Sequence, residues 1–172
     1  MELCVYHRFR ETKRDGILYP LSQLKEKHPD LWVSHVRKYY DRPWLSERKI
    51  ELLGCGWHDV IFFSPVSPLK IMEALRSAGL NPDPMQFIKI PAWMLSRERT
   101  VIMTKPSRTG EVEYVAYDPT ALSDHADISD VTLCYYRQCA EFRQRPLLFH
   151  GIAHVLYRGS LNVTGLPTVE GR

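Results

Sequence analysis

A chain of 172 residues, 44% hydrophobic and 25% charged, has ordinary globular composition and can bury a core without metal or disulfide staples. No apolar run reaches the roughly 20 residues that span a bilayer, and the opening MELCVYHRFR is charged rather than signal-like, so a soluble cytoplasmic protein with no membrane partner is expected. The net charge of +3 permits a polyanionic partner such as nucleic acid without requiring one.

Residues 3–9 (LCVYHRF) alternate loosely and suit a first strand. Asp15-Gly16 signals a turn, and the run Ile17 to Tyr19 follows. Pro20-Leu21-Ser22 opens a short helix that His28-Pro29-Asp30 interrupts, and Asp41-Arg42-Pro43 makes a loop. The stretch 44–56 carries the charged patch Glu47, Arg48 and Lys49.

Val60 to Phe63 is a β-branched and aromatic run too short for a helix and stopped by Ser64-Pro65, so a central buried strand is predicted there. Ser67 offers an N-cap oxygen, Pro68 fits a first helical position, and Gly79 can close the helix in a left-handed turn. Leu69, Met72 and Leu75 supply its apolar spacing. MQFIKI at 85–90 and TVIMT at 100–104 read as strands, with one helical turn at 91–95 between them. A hairpin-like loop at 105–111 leads to a partner strand within 112–118. Asp130 can cap a helix running through VTLCYYRQCAEF, and LLFHGIAHVLY at 147–157 is apolar and partly buried. The segment 159–172 is punctuated by Gly and Pro and is expected as a loosely ordered tail after a domain spanning 1–158.

Strands and helices without a regular βαβ rhythm predict a single compact α+β domain, a mixed sheet with flanking helices. The sequence carries no GxGxxG, Walker loop, GxSxG or HExxH, which removes several common enzyme classes. The four cysteines at 4, 55, 134 and 139 are not a secreted framework and are expected as thiols. Cys4…His7 and Cys55…His58 could together form a Cys2His2 zinc site, or pack as small thiols by coincidence. His150 and His154 would share a face if their segment were helical, a metal pair lacking a carboxylate.

Two segments carry a family resemblance. WHDVIFFSPVSPLKI at 57–71 is similar to the His-Asp, hydrophobic strand, Ser-Pro segment of DarT-like ADP-ribosyltransferases. RQCAEFRQRPLLFHGIAHVLY at 137–157 resembles that family's Ala-Glu segment, whose glutamate is catalytic, and the order of the two segments also fits. VYHRF and GILYPLSQL loosely resemble the opening strand and helix entry, where Tyr6-His7 stands where a histidine helps hold NAD. The resemblance implies an ADP-ribosyltransferase fold, NAD as co-substrate, a base in single-stranded DNA as acceptor, and a toxin paired with an antitoxin that removes the modification.

Such transfer breaks the nicotinamide–ribose bond through a cation-like centre, so it needs a carboxylate and cations for the pyrophosphate. Glu141 is the expected carboxylate, or else a solvated glutamate paired with Arg137 or Arg145. Arg48 is the expected clamp for phosphate, or else a surface arginine paired with Glu47 or Glu51. His7 could orient the donor's ribose or serve structurally. His58 and Asp59 could shape an acceptor site, although Asp59 reads better as a cap on the strand entry. Tyr39, Tyr40 and Trp44, interleaved with Arg37, Lys38 and Arg42, suit stacking on bases beside phosphates, as would core aromatics flanked by snorkelling cations. Two further classes stay open: a catalytically silent nucleic-acid-binding module on this scaffold, and a metal-dependent enzyme using the Cys/His pairs.

Overall fold

The computed structural model describes residues 2–9, 15–104 and 112–171; the loop expected at 105–111 lies outside them. The chain forms β1 (Cys4–Arg8), β2 (Ile17–Leu18), α1 (Leu21–Lys27), α2 (Pro29–Val36), α3 (Trp44–Glu47), β3 (Lys49–Ile50), β4 (Cys55–Gly56) and β5 (Val60–Phe63). It continues through α4 (Pro68–Ser77), β6 (Met85–Pro91), β7 (Thr100–Met103), β8 (Tyr114–Ala116), α5 (Asp130–Glu141), β9 (His154–Arg158), β10 (Leu161–Asn162) and β11 (Thr168–Gly171). The class is α+β. The expected mixed sheet is corrected, because every strand pair among the described residues is antiparallel.

Two sheets organise the molecule, β1-β6-β11 and β5-β9-β7-β8. They meet at a seam: the Tyr6 N–H donates to the Ser64 carbonyl at 2.8 Å, and the Ser64 N–H donates to the Tyr6 carbonyl at 2.9 Å. The opening strand and the Ser-Pro turn, 58 residues apart in sequence by the difference of those two numbers, are thereby stitched together.

The period of two along each strand sorts side chains between faces. Val5, Ile61, Phe63, Ile88, Ile90, Ile102, Val155 and Tyr157 converge in one buried cluster. The intervening residues Val60, Val101, Met103 and Leu156 turn the other way and are covered by Ile50, Leu53 and Trp57. On the first sheet Phe87 likewise turns away from Ile88 and packs with α4 and α5 through Ile71, Met72, Leu75 and Tyr136. Fully burying each such aliphatic or aromatic side chain contributes about 1.5–3 kcal/mol.

The helix after the central strand forms as its residues dictate. The Ser67 hydroxyl accepts the Leu69 N–H at 3.3 Å, Pro68 occupies the first turn, and Gly79 adopts a φ of 87° at the exit. Its buried stripe is Ile71, Met72, Ala74 and Leu75. Leu69, expected on that stripe, is instead exposed, because the buried face of α4 runs through Pro68, Ile71, Met72 and Leu75 at i, i+3, i+4 and i+7. In α5 the cap is Ser129, whose hydroxyl accepts the Thr132 N–H at 3.3 Å, and Asp130 is the first helical residue rather than the cap.

The segment 159–172, expected as a loose tail, is built into the fold through residue 171. β10 pairs with β2 and β11 pairs with β6, while Val163 is fully buried and Leu161 nearly so. Gly159 and Gly165, read as signs of looseness, are turns with positive φ that return the chain to the sheets. Among the described residues no helix is long and apolar enough to cross a membrane.

Candidate active site

A cavity of 1590 Å³ opens beside the seam, larger than the roughly 300–1,000 Å³ of a drug-sized pocket. His7, Val60, Ile61, Phe62 and His154 line it from the sheets. One wall comes from Tyr19, His35, Lys38, Tyr39, Arg42, Trp44, Arg48 and Trp57, and the other from residues 80–83, Met85 and residues 145–151. Strand alternation explains the placement: His154 and Leu156 share one face of β9, opposite the Val155 and Tyr157 core face.

Arg8, Lys38, Arg42, Arg48 and Arg145 line the cavity against two carboxylates, Asp41 and Asp83, among the described lining residues. Asp41 already lies 3.7 Å from the Arg42 guanidinium. The balance therefore favours an anionic ligand. Arg48 follows α3, where its N–H donates to the Leu45 carbonyl at 3.2 Å and its carbonyl accepts the Trp57 N–H at 2.9 Å. Its guanidinium rests 5.4 Å from the centroid of the Trp57 ring, and the ring of Trp57 packs 4.7 Å from that of Phe62. The expected pairing with Glu47 or Glu51 is not formed, so this cation is held by an aromatic face and its donors are left for a ligand.

His7 ends on the same cavity. Its Nδ1–H donates to the Phe62 carbonyl at 3.0 Å, which ties the first strand to the central one and fixes the ring against Phe63. Tyr39 lines the cavity with its ring 4.7 Å from His58, and burial raises the Tyr39 hydroxyl's pKa. His58 stands behind Tyr39, outside the lining. Burial pushes its pKa down against the opposing pull of Asp59, so it backs the aromatic wall as a neutral ring. Asp59 is the expected cap: its Oδ2 accepts the Gly56 N–H at 2.8 Å.

The structure thus brings together His7, Tyr39, Trp44 and Arg48, and leaves Tyr6, Tyr40, His58 and Glu141 out of the lining. Tyr6 packs against the α4–α5 cluster because its neighbour His7 takes the cavity-facing position of the strand. Tyr40 is 70% exposed at the end of the 37–39 turn. Glu141 is the last residue of α5 and is exposed, without an ion pair to Arg137 or Arg145. Its neighbour Ala140 abuts Gly79, and Leu80 and Arg145, close to these two in sequence, line the cavity.

The wall at 145–151 is absent from the sequence expectations. It is not helical, and α5 holds it: the Tyr136 hydroxyl donates to the Leu148 carbonyl, the Tyr135 hydroxyl accepts the Leu147 N–H at 3.0 Å, and the Thr132 hydroxyl donates to the His150 carbonyl at 3.0 Å. Tyr135 also stacks on His150, with centroids 3.8 Å apart. That stacking and the extended backbone of β9 remove the condition, a shared helical face, on which His150 and His154 could have formed a metal pair. Among the described residues no three His, Cys, Asp or Glu side chains gather as a metal site. Cys4 and His7, three residues apart on β1, fall on opposite faces of the strand, and Cys4 is buried while Cys55 packs against the cluster of Ile50 and Trp57, so the structure favours the small-thiol alternative over the zinc site.

The sequence matches no family model and no curated relative. A solved structure does match, at 14% identity and a TM-score of 0.55, over 94% of this chain and 77% of the other. The fold of this chain is accordingly similar to that of Thermus sp. 2.9 DarT, a protein whose structure was determined in complex with ADP-ribosylated single-stranded DNA.

Proposed function

We propose that the protein is an NAD-dependent ADP-ribosyltransferase that modifies a nucleic-acid base, with single-stranded DNA as the favoured acceptor. The observation that carries this reading is the cavity at the seam of the two sheets, where His7 and Arg48 meet the aromatic wall of Tyr39, Trp44 and Trp57. The fold likeness to a protein bound to ADP-ribosylated single-stranded DNA points the same way. The residues suit a dinucleotide: cations for a pyrophosphate, flat rings for stacking, and volume beyond one mononucleotide.

Bound NAD would supply the ADP-ribosyl group by breaking its nicotinamide–ribose bond, with positive charge developing on the ribose. Arg48 would grip the pyrophosphate through its planar fork, already oriented by Trp57. His7, held by the Phe62 carbonyl, would position the ribose beside the seam. Tyr39 and Trp44 would stack on the acceptor strand, with Lys38 and Arg42 beside its phosphates. Glu141, exposed at the end of α5, is assigned as the carboxylate that would act on the developing charge or the acceptor's proton. A toxin-like activity, opposed by an antitoxin that removes the modification, belongs to the same proposal.

Calorimetric titration with NAD, followed by transfer of labelled ADP-ribose to single-stranded DNA, tests it. The wild type should bind and transfer, and Glu141→Gln should bind NAD but lose transfer. Undiminished transfer by Glu141→Gln would move the carboxylate role to Asp41 or Asp83. Failure of the folded wild type to bind NAD would sink the reading. The exposed position of Glu141 favours one alternative, a silent module on this scaffold. Salt-sensitive DNA binding that is indifferent to NAD would establish that alternative.

A further inference from the structure

His154 opens β9 in the lining of the cavity, on the strand face it shares with Leu156. Its Nδ1–H donates to the Ile152 carbonyl at 2.8 Å. That bond fixes the tautomer of the neutral ring, with the proton on Nδ1 and a lone pair on Nε2. Nε2 has no protein partner among the described residues, yet it is not one of the enclosed unpaired atoms, so its lone pair opens to the cavity. The rings of Phe62 and Phe149 stand edge-on to the imidazole, at 6.3 and 6.1 Å between centroids.

Burial lowers the pKa of this imidazole to about 4, against the weak opposing effect of the Ile152 carbonyl. At neutral pH it is therefore neither a cation for phosphate nor a base strong enough to hold a proton from a ring nitrogen. What remains is hydrogen-bond acceptance in an apolar setting, where an N–H partner is worth more than in water. The flanking phenylalanines admit a flat ring and offer no competing polar group.

We propose that His154 is a specificity-determining residue on the β9 side of this cavity, its Nε2 accepting a hydrogen bond from the exocyclic N–H2 of a flat heteroaromatic ring of the ligand. This rests on the transferase reading in one respect, that the ligand is a dinucleotide. The two ends of NAD share the required chemistry: the nicotinamide carboxamide and the adenine amino group each present an N–H2 on a planar ring. A purely structural histidine would use Nδ1 to hold the 152–154 turn and leave Nε2 idle, and it is this nitrogen that separates the two roles.

The experiment titrates the full chain with NAD, nicotinamide mononucleotide and adenosine monophosphate, using wild type, His154→Leu and His154→Gln. Loss of one hydrogen bond should weaken one of the two fragments, and NAD, about 5–15-fold in His154→Leu. The other fragment should bind unchanged, which identifies the ring that is read. His154→Gln, which keeps an acceptor oxygen, should recover to within about threefold of wild type. Equal binding of both fragments by wild type and His154→Leu overturns the assignment while leaving the transferase reading intact. Equal losses for Leu and Gln, together with equal falls in melting temperature, also overturn it, in favour of the structural role. A wild type that binds none of the three ligands overturns both. Should His154→Leu fail to fold, the nitrogen NMR shift of Nε2 in wild-type protein decides, moving on ligand addition if the bond forms and staying fixed if it does not.

Discussion

Two side chains set the chemistry of the cavity because their surroundings constrain them in opposite ways. Arg48 rests its guanidinium on the Trp57 ring, and removing it should cost about 0.5–1 kcal/mol of stability. If it holds the pyrophosphate, Arg48→Ala should lower transfer by about 100-fold or more. Arg48→Lys should recover only part of this, since a point charge does not replace a planar fork. Transfer rates beside urea melts separate the two effects. His154 lacks charge because its ring packs among apolar neighbours that disfavour the imidazolium. Its pKa falls from the ordinary histidine value of 6.5 to about 4 on folding, so between those values the unfolded chain binds a proton that the folded chain refuses. Its contribution to stability is therefore full above about pH 6.5, declines as pH falls, and stops changing below about pH 4. The loss is on the order of 3 kcal/mol. His58, also pushed down by burial, adds in the same direction. Urea melts between pH 7 and pH 4 should show this slope, reduced in His154→Gln; an unchanged slope would mean that the imidazole is not shielded from water.

At the scale of elements, α5 acts as a clamp on the cavity wall at 145–151. Tyr136 is fully buried, and its hydroxyl serves the Leu148 carbonyl. Tyr136→Phe leaves that carbonyl without its donor, at a cost of about 1–3 kcal/mol. Amide exchange across 147–152 should accelerate, and ligand affinity should fall several-fold; a loss of global stability with no local change in exchange would refute the clamp. Gly151 shows the same tightness from the other side. It has a φ of 70°, and an added Cβ would come 2.8 Å from the Thr132 hydroxyl oxygen, so the wall passes α5 only as glycine. Helix boundaries were legible from short rules: Ser67-Pro68 opens α4 and Gly79 closes it. The wall was not legible, because LLFHGI has neither period and its shape comes from three side chains of a helix that precedes it.

For the molecule as a whole, the two sheets share one backbone seam, β11 completes the first of them, and β10 forms a separate ladder with β2. Removing residues 159–172 would strip β10 from β2 and β11 from β6. It would also expose the core around Val5 and Leu18, where Val163 and Leu161 pack. The truncated chain should lose cooperative unfolding in a thermal melt; a chain ending at Arg158 that melts like the full one would restore the tail to the role its composition suggested. Gly and Pro in that segment report turns, and turns are equally frequent in tails and between short paired strands.

Local physics determined what the sequence alone could establish: the central strand, the capped helix after it, the alternation of strand faces, and an arginine and a histidine suited to an anionic donor. Those follow from contacts within a few residues, where side-chain branching, ring closure and hydrogen-bonding groups act without knowledge of the rest. Tertiary structure decided the meeting of His7 with Phe62 across the seam, the seating of Arg48 on Trp57, and the exposure of Glu141. It also decided the turning of His154 into the cavity. Each of these depends on pairings between segments distant in sequence, and a period of two or of 3.6 says which residues share a face but not what that face will meet.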